Sequence, residues 1–310
     1  MFANLIHHIR QGDRLSVARA ISIVEDERDS KNEILSTLFP FTGKAYRIGI
    51  TGPPGAGKSS ITDKLITLFR ESGKSVAVIG VDPSSPFTGG ALLGDRIRMV
   101  THHADRGVFI RSMASRGGQG GLANTTQETA DILDAAGYEI ILFETVGVGQ
   151  VELDVMQATD TVIVILVPES GDDIQMMKAG LMEIAHTFVI NKADRDGANK
   201  LYTTLKNILH SLPDTKDSWY PNVIKTVATR GDGMDDLFSG IAKHRTHIME
   251  TGRWKVNLDM RYQRQVKARI STMLGNSFWS HNHQSMKEEM LKPHDKRIPP
   301  YRLAESLFSQ

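Results

Sequence analysis

Gly52-Pro53-Pro54-Gly55-Ala56-Gly57-Lys58-Ser59 decides how the rest of the chain is read. The stretch matches G-x-x-x-x-G-K-[ST] in full. A β-branched run, YRIGIT (46–51), precedes it, and a helical pattern from Ser60 to Arg70 follows. Glycines at these places let successive backbone N–H groups wrap phosphates without a side-chain clash. The helix start adds favourable partial charge. Lys58 can bridge terminal phosphates as a point charge, and the Ser59 hydroxyl can ligate Mg²⁺. The nucleotide cradle is therefore expected at Gly52, Pro53, Pro54, Gly55, Ala56, Gly57, Lys58, Ser59 and Ser60.

Outward from this loop, short apolar runs alternate with helical patterns. They are SVAVIGV (75–81), GVFIR (107–111), EIILFE (139–144), DTVIVILV (160–167) and HTFVIN (186–191), with NVIKTVA (222–228) as a possible last strand. Continuous apolar strands separated by helices indicate a parallel sheet covered on both faces. The expected fold is an α/β P-loop NTPase with N-terminal helices and a C-terminal helical extension. Leu5, Ile9, Leu15, Val17, Ala20, Ile21 and Val24 recur at helical spacing within 3–38, and LFPFTGKA, with Pro40 and Gly43, ends that segment. The expected division is 1–40 helical, 41–240 nucleotide domain and 241–310 extension.

The base is read from Asn191-Lys192-Ala193-Asp194, 133 residues after Lys58 and at the end of a strand. An Asp carboxylate accepts two hydrogen bonds from the N1–H and exocyclic amine of guanine. Adenine has an acceptor at N1 and no 2-amino donor, so it leaves the site unpaired. Val227, Ala228 and Thr229 stand where a Ser-Ala loop usually touches the guanine oxygen, and the serine is missing. GTP and GDP are the expected ligands. Glu144 ends its strand where Asp-x-x-Gly is usual, with Gly147 placed to sense a γ-phosphate. Asp82 and Asp95 are further candidates for holding or orienting Mg²⁺ beside Ser59. The residue after Gly147 is Val148, where small GTPases carry a water-orienting glutamine. Valine cannot position water, so slow hydrolysis in isolation is expected; Gln150 can substitute only if its loop moves.

Composition narrows the function classes. Lys and Arg total 37 and Asp and Glu 36 in 310 residues, so a dedicated nucleic-acid binder is not expected. There is no cysteine, which removes disulfides and thiolate metal sites. No apolar run reaches membrane-spanning length, no secretory signal is visible, and acids at Asp13, Glu25, Asp26, Glu27 and Asp29 fit a mitochondrial leader poorly. A cytoplasmic protein without membrane insertion is the expectation. Residues 241–310 carry 13 Lys/Arg against 6 Asp/Glu, and 261–274 reads as an amphipathic helix in need of a surface to cover. His102-His103 and His281-Asn282-His283 read as surface or helix residues rather than metal ligands.

GPPGAGKSS, VDPSSPFTGGALLGDRIRM, FIRSMASRG, ETVGVGQ, GDDIQMMKAG and NKAD together resemble the MeaB/ArgK/MMAA family of G-protein chaperones of methylmalonyl-CoA mutase. The resemblance covers most of residues 3–250. It implies a homodimeric GTPase of the SIMIBI class that docks on an adenosylcobalamin-dependent mutase, gates cofactor loading and protects the enzyme. It also implies phosphate and Mg²⁺ roles for Lys58, Ser59, Asp82, Asp95 and Glu144. By the same resemblance, 82–98 is switch I, 145–157 switch II and 168–178 switch III, with Lys178 entering the site when the partner activates hydrolysis. A cation there fits the gap left by Val148. Val151, Gly118-Gln119 and Val227 depart from the family pattern. Two alternatives remain at this point: a nickel-type metallocentre-maturation GTPase, disfavoured by the lack of cysteine, and a GTP-binding scaffold with little hydrolysis. A kinase of basic-amino-acid transport is disfavoured by NKAD.

Overall fold

In a computed structural model, residues 2–82, 102, 104–114, 121–147, 150–169, 181–211 and 219–309 are described. Seven strands form one sheet: β1 Tyr46–Thr51, β2 Val76–Asp82, β3 Val108–Ala114, β4 Ile140–Thr145, β5 Thr161–Leu166, β6 Thr187–Ile190 and β7 Asn222–Lys225. Their order is β3-β2-β4-β1-β5-β6-β7, and every pairing is parallel. β1 lies at the centre, and its register puts Ile50 opposite both Glu144 of β4 and Ile163 of β5. The carboxyl ends of these strands, where the loops carry the chemistry, therefore converge beside the glycine-rich turn.

Strands buried on both faces need two apolar layers. On one face, Ile48 and Ile50 meet Ile61, Leu65 and Ile66 of the helix Lys58–Glu71 and Leu237 and Ile241 of the helix Met234–Glu250. On the other, Ile141, Phe143 and Val164 meet Ile132 and Leu133 of the helix Gly121–Ala135 together with Val17, Ile21 and Val24. The N-terminal segment therefore shares the sheet's core. Gly49 lets the helix Gln150–Met156 approach β1: a Cβ there would lie 2.3 Å from Met156 Sδ.

Three elements differ in detail from the sequence reading. Residues 3–38 make three helices, Phe2–Arg10, Arg14–Glu25 and Lys31–Leu38. The first break has Gly12 at φ +73°, and the second has Glu27 at φ +51°. Asp13 caps the second helix by accepting the Ser16 N–H at 2.8 Å. Leu15 is exposed rather than in the core, because the inward face of that helix is Val17, Ala20, Ile21 and Val24. The chain then crosses to β1 through Gly43, Lys44 and Ala45, whose N–H groups all donate to the Asp134 carboxylate.

At the other end, the expected boundary at 240/241 falls inside the helix Met234–Glu250, whose Ile241, His244 and Ile248 are buried. By packing, the chain divides into Met1–Leu258 and Asp259–Gln310. The helix expected over 261–274 belongs to a longer one, Arg253–Leu291. Within the second unit the short helix Pro300–Phe308 returns so that Phe308 meets Phe278 at 5.7 Å between ring centroids. Its turn is pinned by Glu289, which accepts from Lys292 Nζ at 2.6 Å and from the Ile298 N–H at 2.7 Å. Tyr262, Val266, Ile270, Met273 and Leu274 form an exposed apolar row. No helix among the described residues is long and apolar enough to cross a membrane.

Candidate functional site

The site starts from two glycines. Gly52 leaves β1 at φ +150°, and a Cβ there would lie 2.3 Å from the Ile165 carbonyl of the neighbouring strand. Gly57 precedes the helix Lys58–Glu71 at φ +91°, and its Cβ would lie 2.3 Å from Asn191 Nδ2. Only glycine satisfies both the dihedral and the space at these points. Between them the turn closes with the Ala56 N–H donating to Pro53 O at 3.2 Å. The helix then begins without a side-chain cap, so its first amides face the loop's concavity. Lys58 is buried, and its ammonium donates to the carbonyls of Gly52 at 2.8 Å and Pro53 at 2.9 Å. The cation is thus folded over the loop where phosphates would lie.

Glu144 comes from the adjoining end of β4. Its Oε1 accepts from Ser59 Oγ at 2.5 Å, and both side chains are buried. This donor set, a hydroxyl and a carboxylate at the mouth of a phosphate-type loop, fits a hard divalent cation such as Mg²⁺. Glu carries one methylene more than the usual Asp, which lets it span from β4 to the helix start. Past β4, the Gly147 carbonyl lies 3.1 Å from the hydroxyls of both Thr51 and Thr145. These two threonines end β1 and β4 and fix the start of the following loop. The sequence reading missed them; the signal was a threonine at the last position of each of two mostly apolar strands. β2 ends at Asp82, one residue after Val81, which pairs with Thr145 and accepts the Val146 N–H at 3.2 Å. That puts the Asp82 backbone beside the Glu144 strand end. Asp95, Val148 and Lys178 lie outside the described residues.

The residues expected to read the base arrive from the other side of β1. Asn191 follows β6 and is buried. Its Nδ2 donates to Ala56 O at 2.8 Å, and its Oδ1 accepts from Thr226 Oγ1 at 3.1 Å and the Ala228 N–H at 3.1 Å. One side chain therefore joins the glycine-rich turn to the 226–228 loop. Lys192 takes a left-handed φ of +56°, and the Ala193 N–H donates to Thr226 O at 3.0 Å. The chain turns there, leaving the Asp194 side chain 43% exposed and available to a ligand. Val227 is buried, which accounts for an apolar residue at the place of the usual serine. With the Ala228 N–H held by Asn191, the Thr229 N–H is the next amide along the loop edge. Of the candidate metal histidines, His102 Nε2 lies 2.9 Å from Asp63. Among the described residues, no three His, Cys, Asp or Glu side chains gather into a metal cluster.

A central parallel strand feeding a glycine-rich turn, a buried lysine folded over that turn and a carboxylate at the next strand end define a P-loop nucleotide-binding protein. The comparisons are more specific. The family described as "Methylmalonyl Co-A mutase-associated GTPase MeaB" matches residues 17–284, and the chain belongs to that family of GTPases. It is 45% identical over 313 residues to a Pyrococcus abyssi protein that carries a GTPase name, covering 100% of this chain and 97% of that one. It is 38% identical over 262 residues to the Escherichia coli GTPase ArgK, covering 81% and 78%. The crystal structure titled "LAO/AO transport system kinase" superposes with a TM-score of 0.75 at 27% identity, covering 99% of this chain and 96% of that one.

Proposed function

We propose that this chain binds GTP with Mg²⁺, hydrolyses it slowly alone, and passes the resulting conformational change to an adenosylcobalamin-dependent methylmalonyl-CoA mutase or a related acyl-CoA mutase. The observation that carries the nucleotide part is the Asn191 side chain. It fastens the NKAD turn directly to the phosphate loop, so a purine read by Asp194 belongs to the same ligand as phosphates cradled at Lys58. The association in the family's own description supports the partner.

Each residue then has a task. The Gly52–Gly57 turn and the first helical amides receive the phosphates, and Lys58 exchanges its carbonyl partners for phosphate oxygens. Ser59 and Glu144 hold Mg²⁺, with Asp82 and Asp95 completing or orienting its water shell. Bound there, Mg²⁺ would supply charge neutralisation for the terminal phosphates. Asp194 accepts from the guanine N1–H and 2-amino group, and the Thr229 N–H is placed for the guanine oxygen. The Gly147 loop start, held by Thr51 and Thr145, is the element whose contacts change when the γ-phosphate leaves. Lys178 supplies transition-state charge when the partner docks, which compensates for Val148.

The exposed row Tyr262, Val266, Ile270, Met273 and Leu274 supports a homodimer. An apolar stripe of this kind on a helix is most simply covered by a second copy of itself. The test of the function as a whole is GTP hydrolysis measured with and without the mutase. Slow turnover alone and a clear rise on adding the mutase support the reading. Tight GTP binding with no rise removes the mutase and retains the nucleotide assignment.

A further inference from the structure

Asp194 stands between two arginines, and each arginine is already held by a different acid. Arg195 pairs with Glu169. Arg230 gives Nε at 2.9 Å and Nη2 at 2.8 Å to the same Asp232 oxygen. Its remaining nitrogen, Nη1, lies 3.8 Å from Asp194 Oδ2, within ion-pair range but longer than a hydrogen bond. The turn carrying Arg230 is tight. The Val227 N–H donates to Asp232 O at 3.0 Å, and the Arg230 N–H to Val227 O at 2.9 Å. Gly233 sits at φ +72°, and a Cβ there would lie 2.1 Å from Lys225 O. A rigid turn thus aims a guanidinium at the carboxylate assigned to the base.

Resting on the assignment of Asp194 to guanine, we propose that Arg230 is a positioning residue that competes with the base for Asp194, and that Asp232 restrains it. Guanine meets a carboxylate with two parallel N–H donors, N1–H and the 2-amino group. Arg230 turns its remaining donor nitrogen, Nη1, toward one of the two oxygens that guanine would use, and so competes with the base for it. In the empty site the arginine is shared between Asp194 and Asp232. When the base enters, it takes the Asp194 oxygens and Arg230 falls back on Asp232. The lost ion pair opposes binding and speeds release. Both side chains are about half exposed, so the effect is that of a surface pair, about two- to fivefold.

The test is release of a fluorescent GDP analogue from the full chain, followed by stopped flow. Arg230→Gln is expected to slow release about two- to fivefold. Asp232→Asn frees Arg230 to lean on Asp194 and is expected to speed release, but only while Arg230 is present; in the double variant the acceleration vanishes. If these residues only brace the turn, both single variants speed release and the double variant is no slower than either. That pattern, or an unchanged rate in Arg230→Gln, overturns the proposal. Asp194→Asn, assayed separately for preference between GDP and ADP, tests the assignment beneath it. Loss of guanine preference there with no Arg230 effect removes only Arg230's role. Retained preference removes the base assignment itself.

Discussion

Asn191 fastens two loops of the candidate site to each other. Its amide makes three hydrogen bonds to two different loops from a buried position. Asn191→Ala leaves the Ala56 carbonyl, the Thr226 hydroxyl and the Ala228 N–H without that partner, at a cost of roughly 2–4 kcal/mol. Urea denaturation should show it, and a loss below about 0.5 kcal/mol would contradict the coupling of the two loops. Gly57 is tied to the same amide, and Gly57→Ala meets both a left-handed φ and the 2.3 Å approach of Asn191 Nδ2. Lys58→Ala removes the one buried cation of the loop and is expected to weaken GTP binding at least 100-fold by titration calorimetry, in the range for losing a charge-assisted contact in a dry site (about 3 kcal/mol). Near-normal affinity would move the phosphates elsewhere. At this scale the motifs were legible because each imposes a backbone geometry: left-handed glycines, a helix start, a strand-end turn. What Asn191 does was not, since its partners lie 35, 37 and 135 residues away in sequence.

The elements were legible to the extent that one face or both faces had to be apolar. All seven strands lie where β-branched runs stand, within a residue or so at most ends, because a central parallel strand cannot carry a polar face. The exceptions are informative. Arg47 lies in β1 yet is fully enclosed, and it is matched by Asp131 at 2.6 Å from the helix Gly121–Ala135. Only the fold brings that acid to it. β3 runs on to Ala114, past the expected Arg111, because its ladder with β2 continues to Asp82. The helix Met234–Glu250 hides a second polar layer. His244 Nδ1 lies 2.6 Å from Thr161 Oγ1, which also contacts Tyr46, and the His186 ring lies tilted against His244 at 4.3 Å between centroids. His186 Nδ1 accepts the Val162 N–H at 2.9 Å, so its proton sits on Nε2. Burial pushes His186 down to about 4 and His244 down to about 2. In the unfolded chain both titrate near 6.5. Between about pH 6.5 and 4 the unfolded state therefore binds more protons, and stability falls as pH falls through that window. Thermal unfolding across this range should show the decline, and His186→Gln should flatten it. An unchanged slope in the variant would place the acid sensitivity elsewhere.

At the scale of the whole molecule, the sheet-centred unit carries every described site residue, while the row Tyr262 to Leu274 belongs to the helical unit. The amphipathic reading of 261–274 anticipated an apolar surface in need of cover; the length of its helix was hidden by the polar stretch after it, which is helical through Leu291. Ile270→Asp is expected to shift the protein from dimer to monomer in analytical ultracentrifugation, with GTP binding retained. A monomeric wild type would contradict the dimer. Three proposed properties belong together: the loop at Lys58 takes phosphates, Asp194 selects guanine, and turnover waits for a partner. One measurement engages all of them, which is hydrolysis of GTP and of ATP by the full chain, alone and with an adenosylcobalamin-dependent methylmalonyl-CoA mutase. The prediction is slow GTP turnover alone, a clear increase with the mutase, and no comparable increase with ATP. Fast GTP turnover without a partner, or equal use of ATP, would contradict it.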